Sequence, residues 1–208
     1  MRRAPWVVVP VLVVAACSAT SSGPSSDGIT PGTDGGPPDD LDAGMLVDAS
    51  CSVRVDDPPL LPAIHEPIGT SITWDSNPPS SGPHYPYWAA YQTYTSPVPR
   101  PYYVHNLEHG TIVFLYNCAD PDGCPDVVAA FTAIEAEMPT DPICDPTMGV
   151  RVRILITPDP LLDVPIAAAA WGWTYKAECL DVPSLQAFAT AHYGMGPEQI
   201  CTDGIDSF

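Results

Sequence analysis

Four of the five histidines in this 208-residue chain fall within three short stretches. They are Ala63-Ile64-His65-Glu66-Pro67, Ser81-Gly82-Pro83-His84-Tyr85 and Val104-His105-Asn106-Leu107-Glu108-His109-Gly110. Imidazole is the commonest protein ligand for transition metals and the side chain whose charge changes nearest neutral pH. That concentration points to one site, and an imidazole-rich set suits a first-row ion, copper before zinc. The candidate ligands are His84, His105 and His109, with His65 as a fourth. Glu108, between two of them, could orient a ring, accept a proton in catalysis or simply face water.

His105 and His109 can share an ion only if the backbone between them turns. On a helical turn residues four apart have β-carbons about 5–6 Å apart. On an extended strand the same pair would be about 13 Å apart at about 3.3 Å per residue. Gly110 suits a left-handed position at the end of such a turn. His84 hangs on a loop in which Pro78, Pro79 and Pro83 fix φ and Gly82 permits a tight bend, so little entropy remains to be lost when it binds. His192 stands at the end of a predicted helix, where it complements the dipole. Each histidine also has a plainer role as a cap or a carbonyl partner. In that case the molecule is a non-enzymatic surface interaction module. Ser80 and Ser81 lie near His84, but no Gly-x-Ser-x-Gly elbow exists for a serine hydrolase. Trp74, Trp88, Trp171 and Trp173 are expected in the core.

The elements that must hold these residues are of two kinds. From 51 to 103 the chain is dense in proline and aromatics, which forbids a long helix or central strand through most of it. Ordered loops are expected there, with a short strand at 71–74 and one helical turn at 88–91. Beyond Gly110 the signals are regular. Residues 111–116 form a β-branched and aromatic run that reads as a buried strand. Residues 125–138 repeat apolar side chains with helical period, with Asp126 near the start. Residues 150–156 alternate as a strand, 170–175 are a further strand, and 184–192 a last helix ended by Gly194. The fold class is α+β, a small sheet with helices packed on it in the order β-α-β-β-α, an order shared by a thioredoxin-like half-fold and several others.

Location is written at the N-terminus. Arg2 and Arg3 precede a short apolar run at 6–14, and Val14-Ala15-Ala16-Cys17 resembles the lipobox of bacterial lipoproteins. Residues 1–16 read as a signal peptide too short for a permanent span, with Cys17 as the lipidated residue and the membrane as partner through that anchor. Residues 17–50 then form a Gly/Ser/Pro tether with six aspartates and no Lys or Arg, solvated and unable to build a core. Ser18, rather than aspartate, after Cys17 favours the outer membrane or cell surface of the bacterial envelope. Residues 51–208 are long enough for a single domain.

Removing Arg2 and Arg3 leaves five basic residues against 25 acidic ones. Nucleic acid is thereby excluded as a partner, since phosphate neutralisation needs clustered Lys and Arg. Beyond Cys17 there remain six cysteines, Cys51, Cys118, Cys124, Cys144, Cys179 and Cys201, an even set suited to disulfides in an oxidising compartment. Chain proximity pairs Cys118 with Cys124 and Cys179 with Cys201, which leaves Cys51 for Cys144.

Taken together, His65, the Pro78 to His84 element, His105-Asn106-Leu107-Glu108-His109-Gly110 running into an apolar strand, and Ala170-Trp171-Gly172 are similar to the pattern of the DUF3105 family of bacterial proteins. The resemblance spans residues 62–196, with Ser80 where the family usually has threonine. The family's name records an unknown function, so the resemblance implies shared elements and no activity. The cysteines lie outside its pattern and mark a disulfide-stabilised, exported variant.

Overall fold

The apolar run after Gly110 becomes the centre of a five-stranded sheet. In the computed structural model, which describes residues 51–118 and 124–208, strand β2 (Ile112–Tyr116) is buried along its whole length. It pairs in parallel with β3 (Ile154–Pro158) and antiparallel with β4 (Ile166–Ala170). A turn at Trp171-Gly172 returns the chain as β5 (Trp173–Ala177), which pairs antiparallel with β1 (Val53–Asp56). The sheet order is β1-β5-β4-β2-β3. The signal segment, Cys17 and tether expected at 1–50 lie outside the described residues. None of the described helices is long and apolar enough to cross a membrane.

The two-residue period of a strand sends alternate side chains to opposite faces. Ile112, Phe114, Ile154 and Ile156 meet Phe131 and Ile134 of α2 (Pro125–Glu137) and Leu185 and Phe188 of α3 (Val182–His192). The rings of Phe114 and Phe131 stack at 4.8 Å between centroids. On the other face Val113, Leu115, Leu155, Ala167 and Ala169 receive Tyr103, Val104 and Leu107 of α1 (Arg100–Glu108), with Tyr85, Ala89 and Tyr94 from the proline-rich loops. Each fully buried Val, Leu, Ile or Phe among them contributes about 1.5–3 kcal/mol by leaving water. The α+β class stands, with α2 and α3 on one face of the sheet and α1 on the other.

Several local expectations differ. The helix α1 begins inside the proline-rich region because Pro101 occupies its first turn, where a missing N–H costs nothing. Neither the strand at 71–74 nor the turn at 88–91 forms; instead Ala89 bridges to Ile205 near the C-terminus. The region 166–177 is a hairpin of two strands, not one strand at 170–175. Its alanines conceal β4, since their small side chains carry no strand signature. The third strand starts at Ile154, four residues later than expected.

Among the described residues three disulfides are present: Cys51–Cys179, Cys118–Cys124 and Cys144–Cys201. The second agrees with chain proximity and the other two do not. The register explains the first. Val53 faces Ala177, so continuing the ladder two residues sets Cys51 against Cys179, with Cα atoms 5.5 Å apart. Without β1 that pairing was invisible.

Candidate metal centre

His84 is placed by its own loop. Its N–H donates to the Ile64 carbonyl at 2.9 Å and its carbonyl accepts from Glu66 N–H at 2.8 Å, a two-bond bridge that sets His65 beside it. Gly82 is held at φ 110°, and a β-carbon there would come within 2.9 Å of the Leu61 side chain, so only glycine suits the bend. Trp74 Nε1 donates to the Pro83 carbonyl at 3.1 Å, and Ser81 Oγ accepts from Leu61 N–H at 3.0 Å, leaving that serine a bracing role.

His105 lies in the last turn of α1, buried with its neighbours. His109 caps that helix, and Gly110 follows at φ 82° as expected. Asn106 fixes the loop opposite: its Oδ1 accepts from Ala89 N–H at 2.9 Å and its Nδ2 donates to the Ala89 carbonyl at 2.8 Å. Below the helix, the buried Arg153 donates to the His109 carbonyl and pairs with Asp141 at 2.8 Å. An arginine so placed compensates carbonyls left free at the helix end.

These elements bring His65, His84 and His105 together. Their ring centroids lie 4.9 Å (65–84), 4.8 Å (65–105) and 4.7 Å (84–105) apart. Glu108 joins them, and one donor atom from each of the four residues falls within 4.8 Å of the others. Ligands arranged tetrahedrally at about 2.0–2.1 Å from zinc stand about 3.4 Å apart. The set therefore needs only a slight contraction to hold an ion.

The second layer of contacts decides which ring nitrogen faces inward. His84 Nδ1 lies 2.8 Å from the Gly82 carbonyl and His105 Nδ1 lies 2.7 Å from the Tyr85 carbonyl. A carbonyl only accepts, so each Nδ1 carries the proton and each Nε2 presents a lone pair. This orientation of ligand imidazoles by outer partners is characteristic of metal sites. His84 Nε2 stands 3.0 Å from Glu108 Oε2 without hydrogen-bond geometry, and both buried atoms lack a partner. Two acceptors at that distance require a cation or a shared proton between them.

Burial also keeps the rings neutral. It holds His84 down at about 4, against the Gly82 bond that favours charge and with His65 adding to the depression. Burial brings His105 to about 3, opposed by the Tyr85 carbonyl and aided by the neighbouring His84, His109 and His65. Glu108 is raised, first by burial and then by the Glu198 carboxylate, with His65 acting the other way. Neutral imidazole is the form that binds metals.

His109 lies behind this group rather than within it. Its ring packs edge-on against Trp88 at 4.6 Å and His105 at 4.7 Å, and its Nε2 stands 3.4 Å from Glu198. Burial lowers it to about 4, with His84, Arg153 and His65 adding to the effect. His192 is remote from the cluster. Its ring stacks on Trp173 at 4.4 Å and burial lowers its pKa, so it packs rather than serving as a charged helix cap. Glu108 joins the cluster in place of His109 because it is three residues from His105 and the last residue of α1, a helical spacing that shares one face. That spacing was available in the sequence. The carbonyls of Gly82 and Tyr85, and the Arg153 brace, were not.

No curated protein and no solved structure matches the chain. The model of one family, described as "Protein of unknown function (DUF3105)", matches residues 65–203. That span begins at the first histidine of the cluster and contains all four of its residues; the chain belongs to the DUF3105 family.

Proposed function

We propose that this protein is a lipid-anchored extracytoplasmic domain that holds a divalent first-row transition ion on His65, His84, His105 and Glu108. The observation that carries the reading is the pair of buried imidazoles, each pinned through Nδ1 to a carbonyl, in a four-residue cluster whose donor atoms lie within 4.8 Å of one another, with His84 Nε2 3.0 Å from Glu108. Three nitrogens and one oxygen, with no thiolate or thioether, suit copper(II) or zinc. Copper stands first in intrinsic affinity for such donors. The acidity of the chain, net charge −18 with the signal arginines included, favours cation approach over nucleic acid. The lipobox-like Cys17 and the acidic tether would set this domain off a bacterial envelope membrane, at the outer membrane or cell surface. There it would handle the metal or use it in redox chemistry.

The test is metal analysis of the purified protein after loading with copper(II) or zinc and removal of excess ion. One ion per chain is expected, with near-complete loss in the His105→Ala/Glu108→Gln double variant. Equal, near-zero metal in both proteins would overturn the reading. A double variant that loses thermal stability equally with and without added metal would support the interaction-module alternative instead.

A further inference from the structure

The four donors are not equivalent, and the difference is directional. The side chain of His84 is 0% exposed and that of Glu108 8%, whereas that of His65 is 53% exposed. The rings of His84 and His105 are each fixed through Nδ1; among the described residues no such bond fixes His65. His65 Nε2 stands 3.8 Å from Glu108 Oε2, against 3.0 Å for His84 Nε2. Among the described residues the His65 segment is tied to His84 by the two bridge bonds at Ile64 and Glu66, and the flanking Ile64 and the nearby Ile68 are exposed. The other three donors are enclosed by Trp88, Trp171 and α1.

We infer that His65 is the exchangeable ligand of this centre, the position at which a small monodentate donor from outside enters the coordination shell of the ion. The inference rests on the metal reading above and extends it. His84, His105 and Glu108 form a rigid three-donor base that leaves one side open, as in sites that keep a position for an incoming ligand. Binding there needs no rearrangement of the core. The exposed ring swings into solvent and its place is taken. An ion held in this way can be loaded and passed on by stepwise replacement of one ligand, with the buried three released last.

The experiment follows the electron paramagnetic resonance spectrum of the copper(II)-loaded protein, with imidazole as the external donor. His65→Gly is expected to keep one copper with affinity reduced by about tenfold, a loss of the size produced by peripheral ligand changes. Added imidazole is expected to restore its spectrum to that of the unaltered protein. Glu108→Gln and His105→Gly are expected to lose copper over the same titration and to gain nothing from imidazole. Glu108→Gln is near-isosteric, so it serves even if His105→Gly does not fold. The inference is overturned if His65→Gly loses copper as completely as Glu108→Gln, or keeps it with a spectrum that imidazole leaves unchanged. Failure of the unaltered protein to take up copper or zinc is a separate result that removes the metal reading itself.

Discussion

The chain before Gly110 and the chain after it solve the problem of backbone polarity in opposite ways. After Gly110, the strands and helices pair their own N–H and C=O groups in ladders, and the side chains they send into the core between sheet, α2 and α3 are apolar. Before it, loop backbone is tied down by side chains: Asn106 to both polar groups of Ala89, Tyr85 to Thr70, Trp74 to Pro83, Trp88 to Thr202. The difference has a chemical consequence. Carbonyls in a sheet are already engaged, whereas those of Gly82 and Tyr85 remain free to orient imidazoles. The irregular half can therefore build a polar site, and the regular half gives it a floor.

If that division is real, acid should attack the irregular half most. His84 and His109 are depressed to about 4 and His105 to about 3, from an ordinary value of 6.5, chiefly by burial. Between the ordinary and the depressed values an unfolded chain takes up protons that the folded rings refuse, so protons favour unfolding. Stability of the metal-free protein is expected to be insensitive to these groups above about pH 6.5 and to fall as pH drops towards 4. Glu108, raised by burial and by Glu198, opposes this in part as pH falls through its raised value towards the ordinary 4.5. Metal should delay the decline, because it binds only the deprotonated rings. Thermal melts from pH 7.5 to 4.5, with and without copper or zinc, measure both effects. A flat metal-free profile would break the comparison.

The floor is probed by Phe114→Ala, which empties a fully buried site stacked on Phe131. A loss of about 3–5 kcal/mol is expected from transfer and cavity terms. Because Phe114 faces α2 and not the cluster, urea unfolding should show the same loss with and without metal. A loss that metal substantially reduces would mean that the two halves are not separable.

Much of the regular half was legible because burial leaves a period in the sequence. Residues 111–116 and 125–138 announced β2 and α2 within a residue, since β2 is a continuous apolar run buried on both faces and α2 packs one face on the core. The exceptions have physical causes. The alanine strand β4 packs through small side chains, and β1 is an edge strand whose Val-Arg-Val-Asp alternation lasts only four residues, too short to stand out. In the irregular half the histidines were legible by type and clustering, and Gly82 and Gly110 by their turns. What could not be read was which donor of the 105–109 segment would face the others. That depends on where α1 ends: Glu108 is still helical and turns inward, while His109 is the cap and lies behind. The exposure of His65 was equally hidden, because it depends on packing between segments far apart in sequence.

Gly82→Ala sharpens the comparison with the smallest change. A β-carbon at φ 110° is strained and would meet Leu61 at 2.9 Å, a local cost of about 1–3 kcal/mol. The fold should survive it, since the added β-carbon meets only the loop side chains of Leu61 and Trp74. The displaced carbonyl, however, is the one that holds His84 Nδ1. Metal affinity should therefore fall about 10–100-fold, as it does when an outer partner of a ligand histidine is lost. Competitive chelator titration of copper or zinc beside a thermal melt separates the two effects. Affinity that tracks only the loss of stability would show that the carbonyl does not orient the ring. A larger loss of affinity than of stability would place the control of this centre in loop backbone, two residues from a ligand and outside any regular element.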